Sequence, residues 1–317
     1  HDCPLTTAWQ SWIHLEGVSA YHDVPFATLQ NGFAGLGTEL AFDGPLQVHH
    51  IETPGVWAQE GKFVYAGRRN EGGTRFRAGA CALFTESSAG YAGMKAFADF
   101  DFEVHRFPFW KGDDGAPQNT NVGGASLWVM DGHSDEDYVG VATFLNFLSS
   151  PAIQAKWHQV TGYMPTTVAA SDLTRGQGFY EINPGTDVAV TQMTARNPTV
   201  NSKGLRLGSH AQIRAIIDEQ LEAVWAGEKS AQDALTSAVE RGNALLRRFE
   251  QANRQGADPR DRAPSRGARG ATLVRVPLAG GELANVCQGA PGQHSGGPAR
   301  SGRRRARLGR RASDDVR

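Results

Sequence analysis

The stretch SDEDYVGVATFLNFLSSPAIQAKWHQVTGYMP, residues 134–165, decides the fold class. Ser134 precedes three acids, a cap followed by a negative first turn, and Val141, Phe144, Leu145 and Leu148 then recur at helical spacing. Ser150-Pro151 restarts a helix, because Ser can cap it and proline fits the first helical position, and Gly162 is its natural stop. Two further helices are expected downstream. Ile213, Ile216, Ile217, Leu221 and Val224 form one apolar stripe between His210 and Trp225, and Ser230 caps a helix whose buried face carries Ala234, Leu235, Ala238, Leu245, Leu246 and Phe249. The strand candidates are shorter: CALFT at 81–85, FEVHRFPFW at 102–110 and ASLWVM at 125–130. Short apolar strands alternating with long amphipathic helices give an α/β protein.

Composition narrows the class. With 317 residues, 40% hydrophobic and 21% charged, the chain is long enough for one large domain or two lobes. Its formal charge of -1 is uneven: the 62 residues after Gln255 hold 13 Arg and 5 acids, a net of +8, leaving -9 on the rest. An acidic body argues against a nucleic-acid partner there. The tail has no Lys, Phe, Trp, Tyr or Ile, so it is expected to be disordered, and its composition reads as GC-rich DNA translated out of frame or past a stop. No apolar run is long enough to cross a membrane. Cys3 and Cys81 can pair in an oxidising compartment or stand as reduced structural cysteines, and the sequence leaves both open. Ten His, including His49-His50, show no metal-ligand spacing, so neither a metal nor another cofactor is expected.

The candidate ligand groups sit where regular elements start or stop. Gly123-Gly124 would let a backbone approach a ligand closely, but neither a phosphate-loop lysine nor dinucleotide-type glycine spacing accompanies it. Tyr163 follows a helix-ending glycine, and Arg214 lies in the first turns of a helix, where anions are favoured and a bidentate guanidinium–phosphate contact is available. Ser87, with Ser88 as the alternative, follows a strand at the carboxyl end, the usual ligand position in α/β folds. Trp9 and Trp12, three apart, would share one helix face and form an apolar wall, with at least one of them packed inside. Each has an ordinary structural reading: a Ser-rich turn, a strand-entry turn, a core tryptophan, a surface arginine. No nucleophile elbow or convincing His/Asp pairing exists, so a binder is expected and an enzyme is not.

Several long motifs in order, APQNTNVGGASLWVM, AKWHQVTGYMPTT, LTRGQGFYEINPGT, SKGLRLGSHAQIR and AVERGNALLRRFE, resemble the sn-glycerol-3-phosphate-binding proteins of bacterial ABC importers. The likeness runs from about Cys3 to Asn253 and places the chain near the two-lobed solute-binding proteins related to maltodextrin-binding protein. It implies a periplasmic binding protein type II architecture with most of the first lobe and the signal peptide missing. Residues 1–118 and 168–253 would belong to the second lobe, 119–167 to a returning segment of the first, and 254–317 to the tail. The resemblance further implies a monomeric, exported, non-enzymatic component that hands a small phosphorylated glycerol to inner-membrane permease subunits. Ser87, Gly124, Tyr163 and Arg214 would hold the phosphate and hydroxyls, and Trp9 and Trp12 would line the glycerol. The rival expectations are a neutral-sugar binder, a glycerophosphodiester hydrolase and an inactive truncated product.

Overall fold

Cys3–Thr7 (β1) and Cys81–Thr85 (β2) run parallel, and Cys3 lies directly opposite Cys81. In this computed structural model, which describes residues 3–112, 115–255 and the short segments 274–277 and 283–286, a disulfide joins that first rung, with the Cα atoms 4.4 Å apart. The bridge closes a span of 78 residues, and in the chain-entropy view a loop of that length restricts the unfolded state by about 4.5 kcal/mol. On its other side β1 meets the segment around Phe63: the Leu5 amide donates to Lys62 O and the Val64 amide to Leu5 O. Both strands therefore deliver their carboxyl ends, Thr7 and Thr85, to the same edge.

After β1 the chain enters a π-helix, Ser11–Gly17, that continues as α1 (Val18–Tyr21). The expectation that Trp9 and Trp12 share a helix face is corrected here. Trp9 has φ 49° and lies outside the helix, its amide donating to Arg69 O at 2.7 Å. The wider winding that follows changes the angular offset on which three-residue spacing relies. Next come α2 (Pro45–Gln59) and α3 (Glu71–Arg77), then β2 and α4 (Tyr91–Phe97). The longer helices that follow are α5 (Asp135–Ser149), α6 (Pro151–Thr161), α7 (Val168–Gly176), α8 (His210–Trp225) and α9 (Ala231–Gln255), with short helical turns at Phe179–Ile182 and Val188–Met193 between α7 and α8.

The core forms where α8 and α9 pack on α2 and the π-helix. Ile213, Ile217, Leu221 and Val224 from α8 meet Leu15, Phe42, Ile51 and Phe63, with Ala234, Leu235, Ala238 and Leu246 from α9 closing the other side. Each fully buried large side chain contributes about 1.5–3 kcal/mol. The alanines of α9 allow the two helices to approach closely. Ser230 caps α9 by accepting the Asp233 amide at 3.1 Å, and Gly162 ends α6 at φ 80°, both as the sequence implies.

Two expected strands do not form. Residues 102–110 make no ladder; the Phe107 amide donates to the Gln192 side chain and the Trp110 amide to His22 Nε2, while Pro108 has no amide to give. Residues 125–130 also pair with no strand among the described residues. The chain divides into two compact units, 1–127 with 136–268 and 128–135 with 269–317. In the smaller unit Val274–Pro277 (β3) pairs antiparallel with Leu283–Val286 (β4), which departs from the expectation of an unstructured tail. In the sequence these are two short apolar runs on either side of Gly280-Gly281, a hairpin pattern. The rest of the Arg-rich tail lies outside the described residues.

Close approach of α3 to β1 depends on Gly72. A Cβ there would lie 2.2 Å from Thr7 O and 3.1 Å from the Phe84 ring, so a backbone atom would have to move. Gly72→Ala should lower unfolding free energy by about 1–3 kcal/mol, as overpacking does, measured by urea denaturation. A midpoint equal to that of the parent protein would show that α3 yields without cost.

Candidate functional site

The carboxyl ends of β1 and β2 open into the loops that carry Trp9 and Glu86-Ser87. They are tied together, the Ala8 amide donating to Thr85 O at 3.0 Å. Ser87 caps the short turn Ser88–Gly90 by accepting the Ala89 amide, which leaves its own O–H to donate elsewhere. Burial pushes the Glu86 carboxyl up to about 7, against hydrogen bonds from the Ser87 amide and the Trp9 indole and the nearby Arg77 charge, which pull it down.

Glycines bring the other candidates to this edge. A Cβ on Gly123 would lie 2.9 Å from Trp12 Cζ2, so the indole rests on that backbone. A Cβ on Gly124, whose φ is 124°, would lie 3.7 Å from the Tyr163 ring. A Cβ on Gly162 would lie 2.5 Å from Ser88 O, so the Tyr163 loop rests on the turn that Ser87 begins. Trp12, Gly123, Gly124, Tyr163 and the Ser87-Ser88 turn thus form a continuous run of neighbours. Trp9 is 40% exposed and Tyr163 43%, whereas Trp12 is half-buried with its indole N–H enclosed and without a partner.

Arg214 is attached to the same group through Glu16 of the π-helix. Glu16 Oε1 accepts from Arg214 Nε and Oε2 from Nη2, each at 2.6 Å, and His210 Nε2 stands 3.1 Å from Oε1. Burial alone would raise the Glu16 carboxyl, but hydrogen bonds from Arg214 and His210, with their charges, outweigh it and hold it below the usual carboxylate range. Glu16 is 2% exposed, and its backbone carbonyl accepts from Asn121 Nδ2 at 3.2 Å. The Arg214 fork read from the sequence as a phosphate contact is therefore occupied on its Nε–Nη2 edge. Nη1 and the second Nη2 hydrogen take no part in this contact.

Sequence reasoning missed Glu16, His210, Asn121, Glu86 and His158. His158 Nδ1 donates to Tyr163 O at 2.6 Å and so holds the loop in place. Only the pair His210 and Arg214, four apart on one helix, left a readable signal. No group of three or more His, Cys, Asp or Glu among the described residues could hold a metal ion.

A chain of side chains supports the strand ends from below. Trp110 Nε1 can only donate, so His50 Nδ1 accepts at 3.1 Å and His50 Nε2 donates to His14 Nδ1, also at 3.1 Å. His14 Nε2 then donates to Thr7 Oγ1 at 2.7 Å, and Thr7 and Thr85 share a hydroxyl contact at 2.7 Å. Both imidazoles are neutral in this chain. Burial lowers His14 to about 4, and burial is likewise the largest cause that holds His50 well below its ordinary value.

The chain belongs to the bacterial extracellular solute-binding proteins, whose family pattern matches residues 8–180. It is 50% identical over 252 residues to the sn-glycerol-3-phosphate-binding periplasmic protein UgpB of Yersinia pseudotuberculosis, covering 80% of this chain and 57% of that protein. The UgpB of Escherichia coli O1:K1 is likewise 50% identical over 252 residues, and 58% of it is covered. The chain therefore spans little more than half the length of these relatives. Among solved structures it is similar to UgpB from Mycobacterium tuberculosis in complex with glycerophosphocholine, with TM-score 0.57 and 19% identity over 78% of this chain and 59% of that one. The maltose/maltodextrin-binding domain of Bdellovibrio bacteriovorus bound to maltotriose gives TM-score 0.58 and 15% identity over 78% and 61%. The fold is that of the type II periplasmic solute-binding proteins, and these relatives are binding proteins.

The histidine chain makes stability depend on pH. A folded-state imidazole near 4 against an ordinary 6.5 contributes stability that is present above 6.5 and lost as pH falls toward 4, about 1.4 kcal/mol per unit. Glu86, raised to about 7, acts in the opposite sense over an overlapping range. Urea unfolding of the parent and of His14→Gln from pH 7 to 4 isolates the imidazole. The difference between the two should shrink by about 3 kcal/mol as pH falls; a constant difference would mean that His14 titrates in the folded protein as it does in the unfolded chain, with no lowering by burial.

Proposed function

We propose that this chain belongs to the substrate-capturing component of an ABC importer and binds sn-glycerol 3-phosphate or a glycerophosphodiester. What supports the reading is a run of neighbours, Trp12 on Gly123, Tyr163 beside Gly124 and the Tyr163 loop on the turn that Ser87 begins, to which Arg214 is joined through Glu16 and Asn121. Arg214 would meet the phosphate through its Nη1 side, the Gly124 and Ser87 region would donate to its remaining oxygens, and Trp9 and Trp12 would pack on the glycerol. The component would act as a monomer in the periplasm or outside the cell, would deliver ligand to inner-membrane permease subunits, and would carry out no chemistry. Residues 1–118 with 168–253 would form one lobe and 119–167 part of the other, and ligand would stabilise their closed arrangement. No helix among the described residues is long and apolar enough to cross a membrane.

The test is calorimetry with sn-glycerol 3-phosphate on the parent and on Arg214→Lys. Lysine keeps a cation beside Glu16, whereas alanine would strand a buried carboxylate and confuse binding with folding. Loss of the fork should weaken binding tenfold or more, about 1.4 kcal/mol. Equal affinity would remove Arg214 from the site, and binding of maltotriose but not of the phosphate ester by the parent would replace this reading with a neutral-sugar binder.

A further inference from the structure

The acid that occupies Arg214 bears on which phosphate esters the site can accept. Its carboxylate is enclosed, takes two short hydrogen bonds from one guanidinium edge, and adds a third from His210 one helical turn away. Glu16 is itself anchored from a third direction, by Asn121, two residues before the glycine pair that carries Trp12 and Tyr163. The Arg214 side chain as a whole is 41% exposed, and its Nη1 takes no part in the contact with Glu16. Asp218, one turn further along α8, adds a second negative field at Arg214. A ligand phosphate therefore meets an oriented donor edge whose charge has already been balanced.

We propose that Glu16 is a specificity-determining positioning residue: it fixes which edge of Arg214 faces the ligand and cancels its charge, so that the site takes a phosphodiester as readily as a phosphomonoester. A free arginine would favour the dianionic monoester, because each additional ligand charge gains attraction from an unbalanced cation. A balanced pair offers the same directional hydrogen bonds to both. This inference rests on the phosphorylated-glycerol reading given above and goes further in naming the residue that sets tolerance for ligand charge.

The experiment is calorimetry at pH 8 with two probes that differ by one charge, sn-glycerol 3-phosphate, whose second ionisation lies at about 6, and its methyl phosphodiester. In the parent protein the two dissociation constants should agree within about tenfold, and in Glu16→Gln the ratio should move toward the dianion by about tenfold, the scale of one unit charge at short range in a partly screened site. A purely structural role would weaken both ligands alike and leave the ratio unmoved, which overturns the proposal. Glu16→Asp, which retains the charge, should keep the parent ratio. If Glu16→Gln does not fold, the parent ratio decides alone, since a preference for the dianion beyond tenfold overturns the inference. Binding of neither probe overturns the ligand class itself, whereas unequal binding of the two counts against Glu16 only.

Discussion

A carboxylate with 2% exposure is costly to keep ionised, and Glu16 is kept so by the bidentate Arg214 contact and the His210 ring. Removing one partner of such a buried pair costs about 3–5 kcal/mol, because the other charge is left without compensation. That cost makes the pair a structural constraint as well as a part of the site. It ties the π-helix after β1 to the start of α8, 198 residues later in sequence, and through Asn121 it reaches the glycine pair that supports Trp12 and Tyr163. The order of these elements in space follows from satisfying one acid.

Backbone proximity is the second constraint, and it is carried by residues without side chains. Gly72 lets α3 touch the end of β1, Gly123 seats the indole of Trp12, and Gly162 sets the Tyr163 loop on Ser88 O. In each case a Cβ would lie within 3 Å of an existing atom, closer than side-chain carbons ordinarily come. Polar and aromatic candidates can converge because the chain between them is thin at those points. The disulfide and the Thr7 to Thr85 contact hold the two ends of the parallel pair in register beneath them.

The helices α5, α6, α8 and α9 were legible because their signals are local, whereas α2, α3, α4 and α7 were not read from the sequence. The cap at Ser230, the stop at Gly162 and the α8 stripe each need only a few neighbouring residues, and they recur in the structure; Ser150 precedes α6 as expected, but its hydroxyl donates to Phe147 O and caps no amide of the helix. The strands were less legible, since a strand exists only with a partner. Residues 102–110 have strand-like composition, but His22 and Gln192 take their amides, and β1 was overlooked although it pairs with the one strand correctly read. Within the site, the candidates found were those at chain punctuation, while Glu16 escaped because an acid inside an apolar helix declares itself only when its partner across the fold is known.

The apolar spacing of α5 shows a different limit of sequence reasoning. Phe144 follows the helical pattern that identified the element, yet it is 54% exposed, and Trp157 on the neighbouring α6 is equally so. No residue of α5 is buried. Amphipathic spacing reports that a helix is built to cover something and says nothing of whether the cover is present. Aromatic residues exposed together in this way lose the burial of about 1.5–3 kcal/mol each that would hold the helix in place. The position of α6 therefore rests on its Ala155 and His158 side, on its stop at Gly162 and on the contact between Gly162 and the Ser88 turn. The Tyr163 loop depends on that contact and on the His158 hydrogen bond to Tyr163 O, so its position is set by a few backbone contacts and not by a packed helix face.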